Sequence, residues 1–390
     1  MKQVKGTPVK PHYGGDFATI KPFAKDQTIP AICAAVGVLL VLVLILLFGQ
    51  SRSAQTATVG DVPAANQTAV EGADIQKGGT VEVPSNKNDY SVDSTVIIQG
   101  NRAMEIFSVS QKWLTRYGEN INTFAGTVPN SHVYVLLAPT SVEFYGPDDY
   151  KTKNHLFETA IDYAYTPMKA SNITAIDCRD TMARHTDEYI YLRTDHHWTA
   201  TGAYYAYVTF CRAAGLEYPK LSEYKSGEID GFVGSLYSKT QEAVLKNNPD
   251  TVKYYFPLTE STGHAYDTAA LTGGRTAKVI NTNVSSKYAY LCFIEGDNPI
   301  LKYDTENHNG KSILMVKESY GNAFAPFLTD NYETVYVVDP RKVDLNLTSF
   351  VQQHDIDDVL FLNYAFAPSN PTYRNAFEKM LGLGSETLSE

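Results

Sequence analysis

The chain has 390 residues, of which 43% are apolar and 19% are charged, enough for one large globular domain or two small ones. Its formal net charge of -10 argues against a nucleic-acid-binding protein, because phosphate contacts need clustered Lys and Arg and no such cluster follows residue 60. The chain has 27 tyrosines. A high tyrosine content is common on extracytoplasmic and carbohydrate-handling surfaces, although composition alone establishes neither the location nor the ligand.

The N-terminal region predicts a membrane anchor. Residues 29–48 form a run of about twenty apolar side chains without a charge, which is the length that crosses a bilayer as a helix. Five lysines precede this run and only Arg52 follows it closely, so the positive-inside rule predicts a cytoplasmic tail over residues 1–28. A cleaved signal peptide is the alternative, but the run is too long and starts too late for a typical one. We therefore expect a single-pass protein of the cell membrane with its main domain outside the cytoplasm.

Residues 49–88 lack helical or strand periodicity and predict a flexible linker. The main domain is expected over residues 89–390, where strand-like and helix-like stretches alternate. Strands are predicted at 95–99, 132–137, 173–177, 188–192, 312–316, 333–338 and 358–362, and helices at 108–124, 155–167, 200–214, 347–353 and 373–380, with a short helix ending at 328. This alternation predicts an α/β domain with a mostly parallel sheet. From about residue 222 to residue 310 it lapses into short strands and turns, which we interpret as a mainly β insertion that could wall a cleft.

The four cysteines predict neither a disulfide framework nor a zinc knuckle. Cys33 falls in the predicted membrane span, which leaves an odd number outside, Cys178, Cys211 and Cys292, with no paired spacing such as CxxC. One disulfide among the three and buried free thiols are both open.

An acidic-imidazole cluster, Asp195-His196-His197-Trp198, lies between the predicted strand 188–192 and the helix 200–214. Thr199 is placed to cap that helix and Gly215 to end it. A carboxylate bonded to one ring nitrogen of a histidine fixes the tautomer and stabilises the imidazolium, which suits proton transfer near neutral pH. A structural turn with exposed histidines is the alternative for a lone pair, but four such residues in succession favour a functional site.

Ser319 lies on a predicted tight turn between a buried strand and a short helix. Such a turn resembles a nucleophile elbow, in which backbone N–H groups at the helix start hold an oxyanion. An ordinary N-cap serine is the alternative. Together with the Asp-His pair, a Ser-His-Asp arrangement is the most economical interpretation. Other polar residues also lie at predicted carboxyl ends of strands, where binding and catalytic residues cluster in such sheets. They are Asp339, Arg341 and Asn363.

Three blocks carry a resemblance to a known family, and they occur in the order Thr194-Asp-His-His-Trp-Thr199, Lys317-Glu-Ser-Tyr-Gly-Asn322 and Val338-Asp-Pro-Arg341. They resemble the bacterial DHHW-motif proteins, from about residue 94 onward. That group is similar to the extracytoplasmic SGNH-hydrolase-like proteins that include the alginate O-acetyltransferases. The resemblance implies an SGNH-hydrolase-like three-layer sandwich and a reaction without a cofactor.

By this resemblance, Asp195 and His197 would be the acid and the base, Ser319 would be the nucleophile, and His196 would occupy a variable position. Backbone N–H groups near Ser319 and Tyr320, together with the Asn363 side chain, would hold the oxyanion, although the match of Asn363 depends only on the order of the strands along the chain. The residue before the serine is commonly Asp in this group, and here it is Glu318.

Two further residues are candidates for substrate binding. Arg341 would contact an anionic or polyhydroxylated substrate, with a surface ion pair as the alternative. Trp198 is a candidate for stacking on a sugar ring, although packing of the turn that orients His197 is the favoured interpretation.

The resemblance implies an O-acyltransferase or esterase that acts on a polysaccharide or cell-wall glycan, with a membrane-bound acyl donor protein as a candidate partner. The polymer, and the choice between transferase and esterase, stay open. A metal site is a second hypothesis, using Asp195, His196 and His197, with His185 or Asp187 as a further ligand. A non-catalytic polysaccharide-binding or scaffold domain is the third.

Overall fold

The computed structural model describes residues 90–148, 150 and 156–384. The predicted cytoplasmic tail (1–28), membrane-spanning helix (29–48) and linker (49–88) lie outside the described residues and stay predictions. Within the described part, no helix combines the length and apolar character needed to cross a bilayer.

Strands and short helices alternate along the described chain. The strands are β1 Ser91–Asp93, β2 Val96–Gln99, β3 Arg102–Glu105, β4 His132–Ala138, β5 Ile173–Ile176, β6 Ser226–Phe232, β7 Asp250–Tyr255, β8 Ser261–Tyr266, β9 Arg275–Ala277, β10 Ile300–Thr305, β11 Ser312–Lys317, β12 Thr334–Val338 and β13 Asp358–Tyr364. The α-helices are α1 Gln111–Thr127, α2 Ser141–Tyr145, α3 Leu156–Tyr165, α4 Arg179–Ala183, α5 Ala200–Ala214, α6 Ser235–Thr240, α7 Ala243–Asn247, α8 Gly321–Leu328, α9 Leu347–Gln353 and α10 Pro371–Met380. Three 3-10 segments complete the set, Leu221–Glu223, Ser286–Cys292 and Ala367–Ser369.

A central eight-stranded sheet has the order β5-β4-β13-β11-β12-β10-β8-β9. The first five of these strands are parallel, and the last three each run antiparallel to the preceding strand in the order. The prediction of an α/β fold with a large, mostly parallel sheet is confirmed. Because β11, β12 and β13 are parallel, their carboxyl ends meet at one edge, which is where ligands bind in open sheets of this kind.

The predicted β insertion at about 222–310 is only partly right. β6 and β7 do form a separate antiparallel pair, but β8, β9 and β10 extend the central sheet, and the region also contains α6 and α7. β10 pairs with β12 from Ile300 opposite Val338 to Asp304 opposite Thr334. The residue pattern of a strand indicates an extended backbone but does not indicate which distant strand it pairs with. The sequence therefore did not predict that β8, β9 and β10 join the central sheet.

Helices cover both faces of the central sheet. Along β11, Ile313 and Met315 pack in the cluster that includes α5 and α8, whereas Leu314 and Val316 pack in the cluster that includes α1, α3, α9 and α10. A strand that is buried on both faces needs a continuous apolar run, which is what β11 has. The position of Ser319, just beyond the end of β11, is therefore fixed by a hydrophobic core on each side of the sheet.

The three described cysteines are buried free thiols, so no disulfide joins any two of them. They are Cys178, Cys211 and Cys292.

Candidate active site

A tight loop carries the acidic-imidazole cluster. The predicted strand 188–192 is reduced to a single bridge between Tyr191 and Trp198, so the chain reverses direction between these residues. α5 then begins and ends where the sequence predicted. The Thr199 side chain caps it by accepting a hydrogen bond from the Gly202 N–H, so the helix start is fixed directly after the loop.

A buried carboxylate, Asp250 at the start of β7, anchors the residues that precede the cluster. Its oxygens accept hydrogen bonds from the Thr194 N–H at 2.8 Å, the Thr194 hydroxyl at 2.6 Å and the Arg193 N–H at 3.0 Å. The Tyr189 hydroxyl also donates to it, and the Arg193 guanidinium lies 3.3 Å away. A fully buried charge is tolerated only with such a set of partners, so Asp250 holds the loop in one conformation.

Asp195, His197 and Ser319 form a continuous hydrogen-bonded chain. The Asp195 Oδ1 atom lies 2.5 Å from His197 Nδ1, and His197 Nε2 lies 2.8 Å from Ser319 Oγ. An ionised carboxylate can only accept, so Nδ1 carries the proton toward Asp195 and Nε2 is free to accept the serine proton. Asp195 and His197 are buried, while Ser319 is half-buried and so remains reachable.

The second carboxylate oxygen of Asp195 is held by the start of α6. The Ser235 N–H donates to Asp195 Oδ2 at 2.7 Å. A Cβ atom on the preceding residue, Gly234, would lie 2.3 Å from Asp195 Cβ, so this approach requires glycine. Burial by itself would raise the pKa of Asp195, but the charges of His197 and His196 and the hydrogen bonds outweigh it and hold the pKa well below its usual range. The carboxylate therefore stays ionised.

Ser319 occupies the tight turn between β11 and α8 that its sequence context predicted. The Gly321 N–H donates to the Glu318 carbonyl at 2.9 Å, and the Asn322 N–H donates to the Ser319 carbonyl at 3.2 Å. A Cβ atom at Gly321 would lie 2.5 Å from the Lys317 Cβ atom. Glycine at this position therefore allows the turn to close.

The Glu318 carboxylate folds back onto this turn. It accepts hydrogen bonds from the Tyr320 N–H at 3.0 Å and the Tyr364 N–H at 2.9 Å, and its Oε2 atom lies 3.4 Å from the Ser319 hydroxyl. Burial raises the pKa of Glu318 above its ordinary value, although the two backbone N–H groups oppose this shift. Glu318 therefore ties the end of β13 to the turn that holds Ser319.

Aromatic rings enclose the histidine. The Tyr290 ring lies nearly parallel to the His197 ring, with centroids 4.1 Å apart and planes 17° apart. Trp198 is fully buried, donates from Nε1 to the Tyr320 carbonyl at 2.9 Å and packs on the Tyr320 ring. The favoured packing interpretation of Trp198 is therefore the one observed, and stacking on a substrate is not, because the ring has no exposed face. Trp198 joins the loop that carries His197 to the turn that holds Ser319.

The predicted oxyanion donors are engaged elsewhere. Asn363 is fully buried, and its amide accepts from the Tyr117 hydroxyl at 2.9 Å and donates to the Tyr373 hydroxyl at 2.6 Å. Those tyrosines belong to the core cluster of α1 and α10, so the sequence-order assignment of Asn363 to the oxyanion hole is wrong. The Tyr320 N–H, also predicted to hold the oxyanion, donates to Glu318 in this structure.

Arg341 belongs to a network of four charges beside the serine turn. It donates to Asp339 at 2.9 and 2.5 Å and to Asp297 at 2.8 Å, while the fully buried Lys317 donates to Asp297 at 2.8 Å. Burial would lower the pKa of Arg341, but the two carboxylates outweigh it and raise this pKa above its ordinary value. The ion-pair alternative for Arg341 is therefore the one observed, and its assigned contact with substrate stays a prediction.

With this geometry described, comparison with known proteins assigns the chain to a family. The DHHW protein family matches residues 65–338. A DHHW family protein from Eubacterium siraeum is 31% identical and superposes with a TM-score of 0.68 over 75% of this chain and 98% of that one. This chain belongs to the DHHW family.

The fold of this DHHW protein is also similar to that of more distant proteins. Bacillus cereus PatB1 is 17% identical, with a TM-score of 0.56 over 73% of this chain and 98% of that one. A second structure of PatB1, with a sulfonyl adduct, is 16% identical, with a TM-score of 0.57 over 73% of this chain and 97% of that one. No curated protein matches the chain.

The metal hypothesis has geometric support in one part of this DHHW site. One ligand atom from each of Asp195, His196 and His197 lies within 4.8 Å of the others. His185 is not in this group: its Nδ1 atom lies 2.7 Å from Glu188, and its ring stacks on Tyr205. Asp187 is not in it either. The protein donors and acceptors described above already bond the relevant atoms of Asp195 and His197, which favours the serine arrangement.

Sequence reasoning missed three residues that position the site: Asp250, Gly234 and Tyr290. Each lies far along the chain from the residue it supports, and each contact joins segments whose pairing depends on the tertiary fold. The only local signal is the set of short strands and turns in the 222–310 region, which predicts a wall of the cleft but does not single out these residues as supports of the site.

Proposed function

We propose that this DHHW protein is a serine-dependent O-acyltransferase or esterase with an SGNH-hydrolase-like fold, in which Ser319 is the nucleophile, His197 the base and Asp195 the acid. The observation that carries the proposal is the hydrogen-bonded chain from Asp195 Oδ1 through both nitrogens of His197 to Ser319 Oγ. Three groups in these roles and at these distances are the recurring arrangement of acyl transfer on unrelated folds.

In the proposed reaction, Ser319 Oγ attacks the carbonyl carbon of an acyl ester while its proton moves to His197 Nε2. The negative charge of Asp195 stabilises the imidazolium that forms. Collapse of the tetrahedral intermediate expels the alcohol, which takes the proton from His197 and leaves an acyl-serine. His197 then deprotonates the acceptor hydroxyl, which attacks the acyl-serine and regenerates the enzyme.

The proposed acyl group is acetyl and the proposed acceptor is a hydroxyl of a polysaccharide or cell-wall glycan. The resemblance of the three sequence blocks to the group that includes the alginate O-acetyltransferases supports both choices. An esterase and a transferase differ only in whether water or a sugar hydroxyl reaches the acyl-serine.

We further propose that the protein is a single-pass membrane protein, with residues 29–48 in the bilayer and the catalytic domain outside the cytoplasm. The uncharged apolar run and the preceding lysines support this topology. A membrane-bound protein would then present the acyl donor on the outer side of the same membrane.

The experiment is hydrolysis of a chromogenic acetyl ester by the purified protein, with and without a chelator. Two histidines on one loop give a matched pair of variants: His197→Ala and Ser319→Ala should abolish turnover, whereas His196→Ala should retain part of it. A sulfonyl fluoride should label Ser319, as the sulfonyl adduct of the fold relative PatB1 suggests. Turnover that survives Ser319→Ala would overturn the proposal.

Loss of activity with the chelator would support the second candidate, a metal-dependent hydrolase, for which the Asp195-His196-His197 grouping is the supporting observation. No turnover and no labelling in the wild type would favour a non-catalytic glycan-binding domain, which binding to immobilised polysaccharides would then test.

A further inference from the structure

Two of the predicted oxyanion donors are engaged elsewhere in this structure. The Tyr320 N–H donates to Glu318, and the Asn363 amide is bonded to two core tyrosines. Donors aimed at the developing negative charge usually supply the largest single contribution to acyl-transfer catalysis. A second donor, in addition to the predicted Ser319 backbone N–H, is therefore sought among the residues that surround His197 and Ser319.

Tyr290 is the residue whose position meets this need. It lies in the 3-10 segment Ser286–Cys292, and its ring covers one face of the His197 imidazole at a centroid distance of 4.1 Å. The residue is only 7% exposed, yet its hydroxyl has no hydrogen-bond partner among the described residues. Buried hydroxyls are nearly always bonded, so an unpaired one beside a reactive histidine needs an explanation.

The charges around Tyr290 keep its hydroxyl a donor. Burial raises the pKa of Tyr290 well above its ordinary value, and the nearby carboxylates of Asp195 and Glu318 raise it further. The phenol therefore remains protonated throughout the pH range in which His197 acts as a base.

We propose that the Tyr290 hydroxyl donates a hydrogen bond to the carbonyl oxygen of the acyl ester as Ser319 attacks it. This inference rests on the proposed function. As the bond from Ser319 Oγ to the carbonyl carbon forms, the serine proton passes to His197 Nε2 and the carbonyl electron pair moves onto oxygen. The Tyr290 hydroxyl, which has no hydrogen-bond partner among the residues that the structure describes, then gains one in the tetrahedral intermediate. When the intermediate collapses, the leaving alcohol takes the proton from His197.

The test is Tyr290→Phe, which keeps the ring on His197 and deletes only the hydroxyl. Loss of one oxyanion donor should lower kcat about 100- to 1000-fold with little change in KM. The melting temperature should rise or stay unchanged, because an unpaired buried polar group has been removed. The variant should still be labelled at Ser319 by a sulfonyl fluoride, because the three hydrogen-bonded residues are intact.

Two further variants separate the hydroxyl from the stacked ring. Tyr290→Leu also removes the ring and should lower kcat at least as far. Tyr224→Phe is the matched control: it deletes the hydroxyl of another buried tyrosine, one that packs on Phe327, and should leave kcat unchanged.

The outcomes distinguish this inference from the function on which it rests. Wild-type kcat in Tyr290→Phe, with kcat lost only in Tyr290→Leu, would show that the ring alone matters and would overturn the inference while the serine mechanism stands. A wild-type protein with no serine-dependent turnover would overturn both.

Discussion

Replacing Gly234 with alanine should damage the site through a single methyl group. The new Cβ atom would lie 2.3 Å from Asp195 Cβ and 2.4 Å from Asp195 Oδ2. The backbone at Gly234 has a φ of -95°, which any residue adopts, so the clash is the only perturbation. Either Asp195 or the start of α6 must move, and the hydrogen bond from the Ser235 N–H to the carboxylate stretches or breaks.

The size of the effect follows from the distances. Ordinary carbon contacts begin near 3.4 Å, so relief of the 2.3 Å approach needs a movement of about 1 Å. A misplacement of about 1 Å typically costs on the order of 100-fold in rate, because the reacting groups leave their aligned geometry. Overpacking of this kind also destabilises a fold by about 1–3 kcal/mol.

The assay compares ester turnover and urea unfolding of Gly234→Ala with those of the wild type. Gly126→Ala is the matched control, because the added Cβ at this exposed site on α1 meets nothing within 4 Å. It should keep full activity and gain about 0.5–1 kcal/mol from improved helix propensity. Wild-type kcat in Gly234→Ala would show that the position of Asp195 does not govern turnover, and would refute the reasoning.

The other predictions concern two carboxylates. Asp195→Asn should lower kcat by on the order of 10,000-fold through the wrong histidine tautomer, while its circular dichroism spectrum stays native. The folded-state pKa of Asp195 is depressed, so its ionised form stabilises the fold above about pH 4, and this contribution declines as the pH falls toward the depressed pKa. The difference in unfolding free energy between the wild type and Asp195→Asn should therefore shrink below about pH 4; a constant difference would contradict the assigned shift. Asp250→Ala should cost about 3–5 kcal/mol in urea unfolding, because the N–H groups of Arg193 and Thr194 lose their acceptor and the Arg193 guanidinium loses its carboxylate partner. Asp344→Ala, which breaks the exposed ion pair with Lys379, should cost less than about 1 kcal/mol, and equal losses would contradict the role given to Asp250.

Local signals in the sequence were sufficient for α5 and for the turn that holds Ser319. Thr199 and Gly215 fixed the ends of that helix because capping depends on neighbours within a few residues. The continuous apolar run of β11 and the glycine after Ser319 likewise predicted a buried strand and a tight turn. The structure brings Asp195, His197 and Ser319 together as their placement in strand-to-helix loops suggested.

Local sequence signals did not predict the contacts between segments that are distant along the chain. The order of strands placed Asn363 near the site, but its side-chain direction was set by the alternation along β13, which turns it toward Tyr117 and Tyr373. Arg341 was recognisable as charged but not as the partner of Asp297, because the intervening strands had to be assembled first. Glu318 differs by one methylene from the more common Asp, and only the fold shows that its longer side chain reaches the Tyr364 N–H.

The hydrogen bond between His197 and Ser319 joins residues that are 122 positions apart. Closing so long a segment of chain is entropically costly, and the two ends meet only when β10, β11 and β12 have taken their places in the sheet. A misfolded or mispaired strand in that interval would separate His197 from Ser319 even if both local turns survived. Turnover of the proposed ester substrate would consequently be a stricter criterion of correct folding for this chain than helix content, and it would report the native fraction in a refolded or stored preparation.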